Sequence, residues 1–385
     1  MNVVLSALGK FHTFDLAREM QARGALRQVF STYPWFKLTQ EGLPASQVRT
    51  FPWVNTPYLA MPQRERLGQR LLRGWEYLNC ISFDRYTANR LPPCDVFVGL
   101  SSSALWSGRR ARQQGARFVC DRGSSHIRTQ DALLREEHAH WRMPYMPTDP
   151  RIIAREEAEY AEADCITVPS TFSHRSFVQQ GVDVRKLRRL SYGVNLSAFH
   201  PAGTPSSDTF DVLFVGSAEL RKGLPYLLQA FKALRHPRKS LSLAGTAPLG
   251  MIEHMKALGL WSDGIQLLGH LEWNRLREQM SRSHVLVLPS IEDGFGLVMA
   301  QAMACACPVI ATENTGAPDL YEDGQAGYIV PIRQSDILAD RLQSLADSPD
   351  IRQRMSQAAL QLVQDMGGWR RYGDEAMRIY RELLT

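Results

Sequence analysis

Several short stretches of this chain place charged, polar and glycine residues where an anionic ligand would need them. The clearest is Asp293-Gly294-Phe295-Gly296, between an apolar run closing at Leu288-Pro289-Ser290 and a helix-forming stretch from Leu297 through Cys305. A second apolar run follows from Pro308 to Ala311. Strand, glycine loop, helix, strand is a unit in which backbone N–H groups at a helix start face an anion. Asp293 and Gln301 bracket that helix start eight positions apart. At 1.5 Å per helical residue this spans roughly 10 Å, enough for contacts at two ends of an extended diphosphate ligand.

Arg221-Lys222-Gly223 follows an apolar run, Asp211 to Gly216, and precedes the helical pattern Leu224 to Leu234. Two cations and a flexible residue between a strand end and a helix start form a diphosphate clamp; a solvated surface pair is the alternative. Gly9-Lys10 sits where the first strand should end, the edge at which open α/β sheets bind ligands. It is not a G-x-G-x-x-G, which argues against an ordinary dinucleotide site, and a plain strand-to-helix turn is the other reading. Asp121-Arg122-Gly123-Ser124-Ser125-His126 clusters a carboxylate, a guanidinium and an imidazole past another strand, which suits the handling of a hydroxyl substrate. His138 and His140 read as a solvated helix face rather than metal ligands, and no metal site is expected.

The elements that must position these residues are legible along the whole chain. Short apolar, β-branched runs alternate with helical patterns, which predicts parallel sheets with helices on both faces. One series runs from Val3 to Tyr192 and a second from Asp211 to Val330, so two doubly wound domains are expected. A Pro/Gly/Ser-rich stretch, Phe199-His200-Pro201 through Pro205-Ser206-Ser207, separates them. At 385 residues, with 44% hydrophobic and 22% charged residues, the chain has the composition of a soluble globular enzyme and not of a disordered one. Six cysteines are scattered, mostly within apolar runs, and Cys305-x-Cys307 has no second ligand pair; buried thiols in a reducing cytosol are expected. The opening MNVVLSALGKFHTF has neither the basic region nor the apolar length of a signal peptide or membrane span. The net charge of +6 suits anionic partners, but the cations are interleaved with acids and no nucleic-acid motif accompanies them, so no nucleic-acid partner is expected.

Taken together, Pro289-Ser290, Gly294-Phe295-Gly296-Leu297, Ala302-Met303-Ala304 and Pro308-Val309-Ile310 resemble the donor-site signature of the retaining glycosyltransferases of GT-B fold, family four. The chain departs from it at three positions: the family's first glutamate is Asp293, its second is Gln301, and a usual glycine is Ala306. Ser191-Tyr192-Gly193-Val194-Asn195, then Phe199 and Pro201, is similar to the family's interdomain junction, so the resemblance covers nearly the whole chain. It implies an α/β, GT-B architecture: two Rossmann-like domains facing a cleft, with residues 1–200 on the acceptor side and 207–365 binding a nucleotide-sugar donor. A last helix, 366–385, is expected to cross back onto the first domain.

What the resemblance implies for function is a retaining transfer of a sugar from a nucleotide diphosphate sugar to a hydroxyl acceptor, carbohydrate or lipid-linked, in cell-surface polysaccharide or glycolipid synthesis. No cofactor or metal is implied. Arg221, Lys222 and the helix start at Gly296 would meet the diphosphate, with Gly9 and Lys10 approaching it from the first domain. Gly216 and Leu271 would border the nucleotide, whose base meets backbone near Gly269-His270-Leu271. Asp293 and the backbone of Phe295 and Gly296 would hold the sugar and Gln301 the ribose, with Gly294 and Leu297 in the same donor site. Asp293, with His126 as a second candidate, would act at the reacting centre as an orienting group, since the family has no established protein nucleophile. Pro318-Asp319 resembles a family pair with no role readable from sequence. A nucleotide-sugar epimerase or hydrolase on the same scaffold, or a non-catalytic nucleotide-sugar binder, are the alternatives, the last motivated by the altered acids. The protein is expected in the cytoplasm. Leu67, Leu71, Leu72 and Trp75, flanked by Arg66, Arg70 and Arg73, form an apolar stripe that fits either an acidic membrane surface or the first domain's own sheet.

Overall fold

Runs such as Val3-Val4-Leu5 and Val285-Leu286-Val287-Leu288 form strands with no solvent exposure, as parallel strands covered by helices on both faces require. The computed structural model describes residues 1–61 and 68–385. The first sheet contains β1 (Val3–Ala7), β2 (Leu26–Ser31), β3 (Val48–Thr50), β4 (Val96–Leu100), β5 (Arg117–Asp121), β6 (Cys165–Val168) and β7 (Leu187–Arg189). The second contains β8 (Phe210–Val215), β9 (Lys239–Ala244), β10 (Ile265–Gly269), β11 (Val285–Leu288), β12 (Val309–Thr312) and β13 (Gly327–Val330). The sheets are separate, with orders β3-β2-β1-β4-β5-β6-β7 and β10-β9-β8-β11-β12-β13. Their ladders are parallel throughout. Winding reverses between β1 and β4 and again between β8 and β11, and ligand crevices open at such switch points, outside the carboxyl ends of the strands.

The first domain's helices are α1 (Thr13–Ala22), α2 (Trp35–Leu38), α3 (Asn55–Ala60), α4 (Gln69–Arg90), α5 (Leu105–Gln113), α6 (Ile127–His140), α7 (Pro150–Glu162) and α8 (Thr171–Gln179). The second half carries α9 (Leu224–Ala233), α10 (Met251–Ala257), α11 (Trp273–Arg282), α12 (Leu297–Ala304), α13 (Ala317–Leu320), α14 (Ser335–Asp347), α15 (Pro349–Asp365) and α16 (Gly368–Leu384). A single apolar cluster joins the halves, running from Leu5, Met20 and Val98 to Leu286, Phe295 and Met303, and on to Tyr372 and Tyr380 of α16.

The last helix lies across α1. A β-carbon on Gly373 would stand 2.6 Å from that of Glu19, so glycine permits the close crossing. Arg23 ties the pair, reaching Asp374 at 2.6 Å and the Arg370 carbonyl at 2.7 Å. At the end of α12, Ala306 takes φ +60, its amide donating to the Met303 carbonyl at 3.0 Å and the Cys307 amide to Ala302 at 2.9 Å. This is the Schellman closure, whose left-handed position normally holds glycine. The substitution noted at Ala306 therefore falls where a β-carbon is strained.

Two details differ from the sequence reading. The edge strand β3 is only Val-Arg-Thr, too short for an alternating pattern to stand out. The stripe proposed along residues 64–77 is divided: Arg64 to Leu67 lie outside the described residues, Leu71 is exposed, and Leu72 is buried. Trp75 turns inward, donating from Nε1 to the Val54 carbonyl at 3.0 Å and packing on Tyr58. No helix among the described residues is long and apolar enough to cross a membrane.

Candidate functional site

A cleft of about 1150 Å³ opens between the domains at the carboxyl ends of β1, β4 and β5, facing α12 and the start of α11. From the first domain it is lined by Lys10, His12, Ser101, Arg122 and Gly123, and from the second by Glu272, Trp273, Leu297 and Gln301. Tyr192 and Asn195 of the connecting segment and Trp369 complete the wall. Leu297 and Gln301 stand one turn apart on α12, so both present to the same side. The volume exceeds that of most small-molecule pockets and suits a ligand of nucleotide size or larger.

The loops that form the rim are pressed together. A β-carbon on Gly294 would lie 2.0 Å from the Gly123 carbonyl oxygen, so only glycine lets the second-domain loop approach the first-domain one. Glu292, wholly buried, accepts from the Ser125 amide at 3.0 Å, the Ser125 hydroxyl at 2.8 Å, the Ser124 hydroxyl at 3.1 Å and Gln130 Nε2 at 3.0 Å. Asp319 does the same work on another edge. It accepts from the Thr171 amide at 2.7 Å, capping α8, and pairs with Arg189 at 2.7 Å. Arg333 reaches Glu137 of α6 at 2.8 Å. Neither Glu292 nor Asp319 was legible as an interdomain residue from sequence. The Pro318-Asp319 pair was noted without a role.

The expected cationic clamp lies beside the glycine loop. Lys222 forms an ion pair with Asp293, and Arg221 lies 3.1 Å from Glu219 and 3.6 Å from Glu292. Burial pushes the Asp293 carboxyl up, but Lys222 and Arg221 outweigh it and hold the group below the usual carboxylate range. Burial likewise opposes charge on Arg221, and Glu292 and Asp293 restore it. Lys222, Asp293, Arg221 and Glu292 form a partly buried, alternating charge cluster next to the start of α12. An arriving diphosphate would therefore exchange with Asp293 for the lysine rather than find a vacant cation.

The structure redistributes the other sequence candidates. Lys10 does line the cleft, but pairs with Glu41, while the Gly9 carbonyl is held by the Ser31 hydroxyl at 2.8 Å. Phe295 is 1% exposed and packs edge-on against Tyr192, with its carbonyl accepting from the Gly316 amide at 2.8 Å. Phe295 shapes the floor of the site from below; its side chain is not presented to the cleft. Gly296, at φ +79, starts α12 beside Leu297. Gly216 and Leu271, both partly buried, stand outside the cleft lining, as do Arg221, Lys222 and Asp293. His126 requires correction. Its ring is buried between Tyr160 and Phe177, and Nδ1 accepts from the Arg128 amide at 3.2 Å as the N-cap of α6. Burial, followed by the Arg122 charge, pushes its pKa down to about 4, the behaviour of a neutral structural imidazole. Arg122 faces the cleft in its stead, neutralised by Glu156 at 2.9 Å.

A second histidine holds the place that His126 does not. His12 precedes α1, lines the cleft and approaches Asp121 Oδ2 with Nε2 at 2.5 Å. The other Asp121 oxygen accepts from the Thr167 hydroxyl at 2.8 Å, fixing the carboxylate at the end of β5. The imidazole stacks on Tyr192 with ring centroids 4.2 Å apart. Sequence reasoning placed Asp121 among candidate residues but gave it no partner, because His12 lies 109 positions away. Its only sequence signal was its place two residues after Gly9-Lys10.

Comparisons with known proteins agree with this architecture. Residues 198–362 match the family model described as glycosyl transferases group 1. An alpha-D-kanosaminyltransferase of Streptomyces kanamyceticus is 29% identical over 176 residues, 45% of either chain. The chain spans about half the length of the curated relatives it matches. Sucrose-phosphate synthase from Thermosynechococcus elongatus superposes over 100% of this chain and 99% of its own, with TM-score 0.76 and 21% identity. Anabaena Alr3699/HepE, solved in complex with UDP-glucose, superposes over 99% of this chain and 100% of its own, with TM-score 0.71 and 18% identity. These superpositions establish the GT-B fold.

Proposed function

Starting from a chain whose residues 198–362 match the group 1 glycosyl transferases, we propose that the protein moves a sugar from a nucleotide diphosphate sugar to a hydroxyl acceptor in the interdomain cleft. The observation that carries this reading is the Arg221–Lys222–Asp293 cluster at the start of α12, beside a cleft that has Gln301 on its wall. The group 1 match over this domain and the likeness to a fold solved with UDP-glucose support it.

On this reading the diphosphate takes Lys222 and Arg221, released from their acids, and the amides at the start of α12. Charge growing on the leaving group then meets preorganised donors and a helix dipole. Asp293, freed from Lys222, turns to the sugar hydroxyls, and Gln301 accepts from the ribose as a neutral group. The reading takes the reaction as retaining, as the group typically is, without metal or cofactor, and sets it in the cytoplasm. The same reading includes a peripheral contact of the first domain with an acidic membrane carrying a lipid-linked acceptor.

The test is a panel of nucleotide diphosphate sugars read by calorimetry and by mass analysis of products, run on the parent and on Arg221→Ala/Lys222→Met. Losing one charge-assisted contact costs about 1.5–3 kcal/mol, so affinity falls ten- to more than hundredfold. Equal nucleotide affinity in parent and double variant would make the pair ordinary surface residues and sink the proposal. The same panel separates the non-catalytic reading, which requires binding without product.

A further inference from the structure

We propose that the first-domain wall of the cleft seats an uncharged sugar ring of the acceptor on Phe11, with Lys10, Asp15 and Arg18 taking its hydroxyls. The inference rests on the transferase reading and names the acceptor class for the same cleft.

Neither backbone nor packing explains a phenylalanine at position 11. It takes φ +35, a left-handed conformation that is an outlier for a bulky side chain and that glycine would adopt without strain. The ring is 63% exposed, so no core contact offsets the strain, yet it lines the cleft. Strain of this kind collects where a side chain is held for a ligand. The ring lies against Gly9, where a β-carbon would stand 2.8 Å from Phe11 Cε2, so glycine there makes room for it. The loop beneath is fixed from β2: the Ser31 hydroxyl donates to the Gly9 carbonyl at 2.8 Å, and the Thr32 hydroxyl donates to the Leu8 carbonyl. An aromatic face carries negative charge density and meets the polarised C–H bonds of a pyranose ring.

The polar groups on the same wall form a chain of alternating charge. Buried Glu41 accepts from Arg18 Nη1 at 2.5 Å with one oxygen and pairs with Lys10 through the other. Arg18 Nη2 continues the chain to Asp15. Lys10, Asp15, Arg18 and Glu41 all line the cleft, and two acids balance two cations. Lys10 keeps N–H donors beyond its contact with Glu41, and Asp15 Oδ2 has no hydrogen-bond partner among the described residues. Donors and an acceptor on one wall suit sugar hydroxyls, each of which donates one hydrogen bond and accepts others. A phosphate or carboxylate fits poorly: it takes these cations only by displacing Glu41, whose buried charge is then left unpaired. An alkyl alcohol uses the ring and leaves most of the polar chain unmet.

Phe11→Gly gives the sharpest test, because strain and function pull it in opposite directions. Each reaction pairs the nucleotide sugar that the parent uses with methyl hexopyranosides, the matching hexuronates, hexose 6-phosphates or n-octanol. Phe11→Gly should melt higher than the parent, yet raise the hexopyranoside KM roughly tenfold with the donor KM unchanged within about twofold. Phe11→Trp restores a platform and should keep that KM within about threefold of the parent's. Asp15→Asn removes a charged acceptor and leaves the wall one net positive charge, so the preference for the hexopyranoside over the 6-phosphate should fall roughly tenfold. A parent that uses its nucleotide sugar but accepts no hexopyranoside, or prefers hexuronates, phosphates or octanol, overturns the platform. So does a Phe11→Gly variant whose hexopyranoside KM stays within threefold of the parent's. A Phe11→Gly variant that melts at or below the parent gives the ring a packing role and also overturns it. A parent that binds no nucleotide sugar overturns the transferase reading instead. The Phe11 ring resonances then judge the platform separately: they should shift with methyl hexopyranosides and not with octanol, and the absence of that shift overturns it.

Discussion

Glu292→Gln tests the claim that the domains are held by a buried carboxylate. The change is nearly isosteric and removes only the charge. Three donors converge on one oxygen of Glu292, and Gln130 Nε2 donates to the other at 3.0 Å. In the variant, the first three bonds survive at neutral strength, while the new amide NH2 confronts the NH2 of Gln130. Gln130 cannot turn over to relieve this. Its oxygen already accepts from Arg122 Nη2 at 2.9 Å, and its nitrogen also donates to the Ser124 hydroxyl at 3.1 Å. Arg221 loses its charge partner at 3.6 Å as well. Bonds to a charged acceptor are worth about 1.5–3 kcal/mol against about 1 for neutral ones, and an unmet buried donor costs about 1–3 kcal/mol. Allowing for non-additivity, the contact should weaken by about 3–5 kcal/mol, the range found on breaking buried ion pairs. Amide exchange at Ser125 reports it directly, and exchange there should accelerate at least hundredfold. Exchange at Ser125 within threefold of the parent, with an unchanged melting temperature, would show that Glu292 does not join the domains.

Ala306→Gly should stabilise the chain by about 1 kcal/mol, because the left-handed position costs an L-residue about 1–2 kcal/mol and glycine gives back part of this in the unfolded state. A lowered urea midpoint would contradict the strain assigned there. His126 binds its proton near pH 4 folded, against the ordinary 6.5 when unfolded, so the unfolded state holds more protons between those values. Stability is therefore present above about pH 6.5 and is lost as pH falls toward 4, by up to about 3 kcal/mol. His126→Asn keeps an N-cap acceptor but cannot titrate, and should flatten the stability profile over that window even if absolute stability drops. An equally steep acid slope in His126→Asn would place the titration elsewhere.

The sequence by itself determined what depends on local backbone and on burial pattern. Parallel strands covered on both faces must be continuously apolar, so runs such as Val96 to Leu100 and Val285 to Leu288 announced themselves and gave two α/β domains. The Asp293-Gly294-Phe295-Gly296 loop was legible for the same reason. Gly296 needs a left-handed φ, and Gly294 must admit another backbone, and both requirements leave a mark on residue type.

Tertiary structure alone decided which polar groups meet. Glu292, Asp319 and His12 look in sequence like any solvated acid or imidazole, and Asp121, a candidate by its place past a strand, shows no partner there, because nothing in residue type records burial. His12 and Asp121 become partners only when β1, β4 and β5 are set side by side, and His126 is withdrawn from the cleft by the packing of α6 on Tyr160 and Phe177. The chemistry of each side chain was written in the chain. Its dielectric, its partner and the face it turns to the cleft were fixed by how the two sheets close on one another.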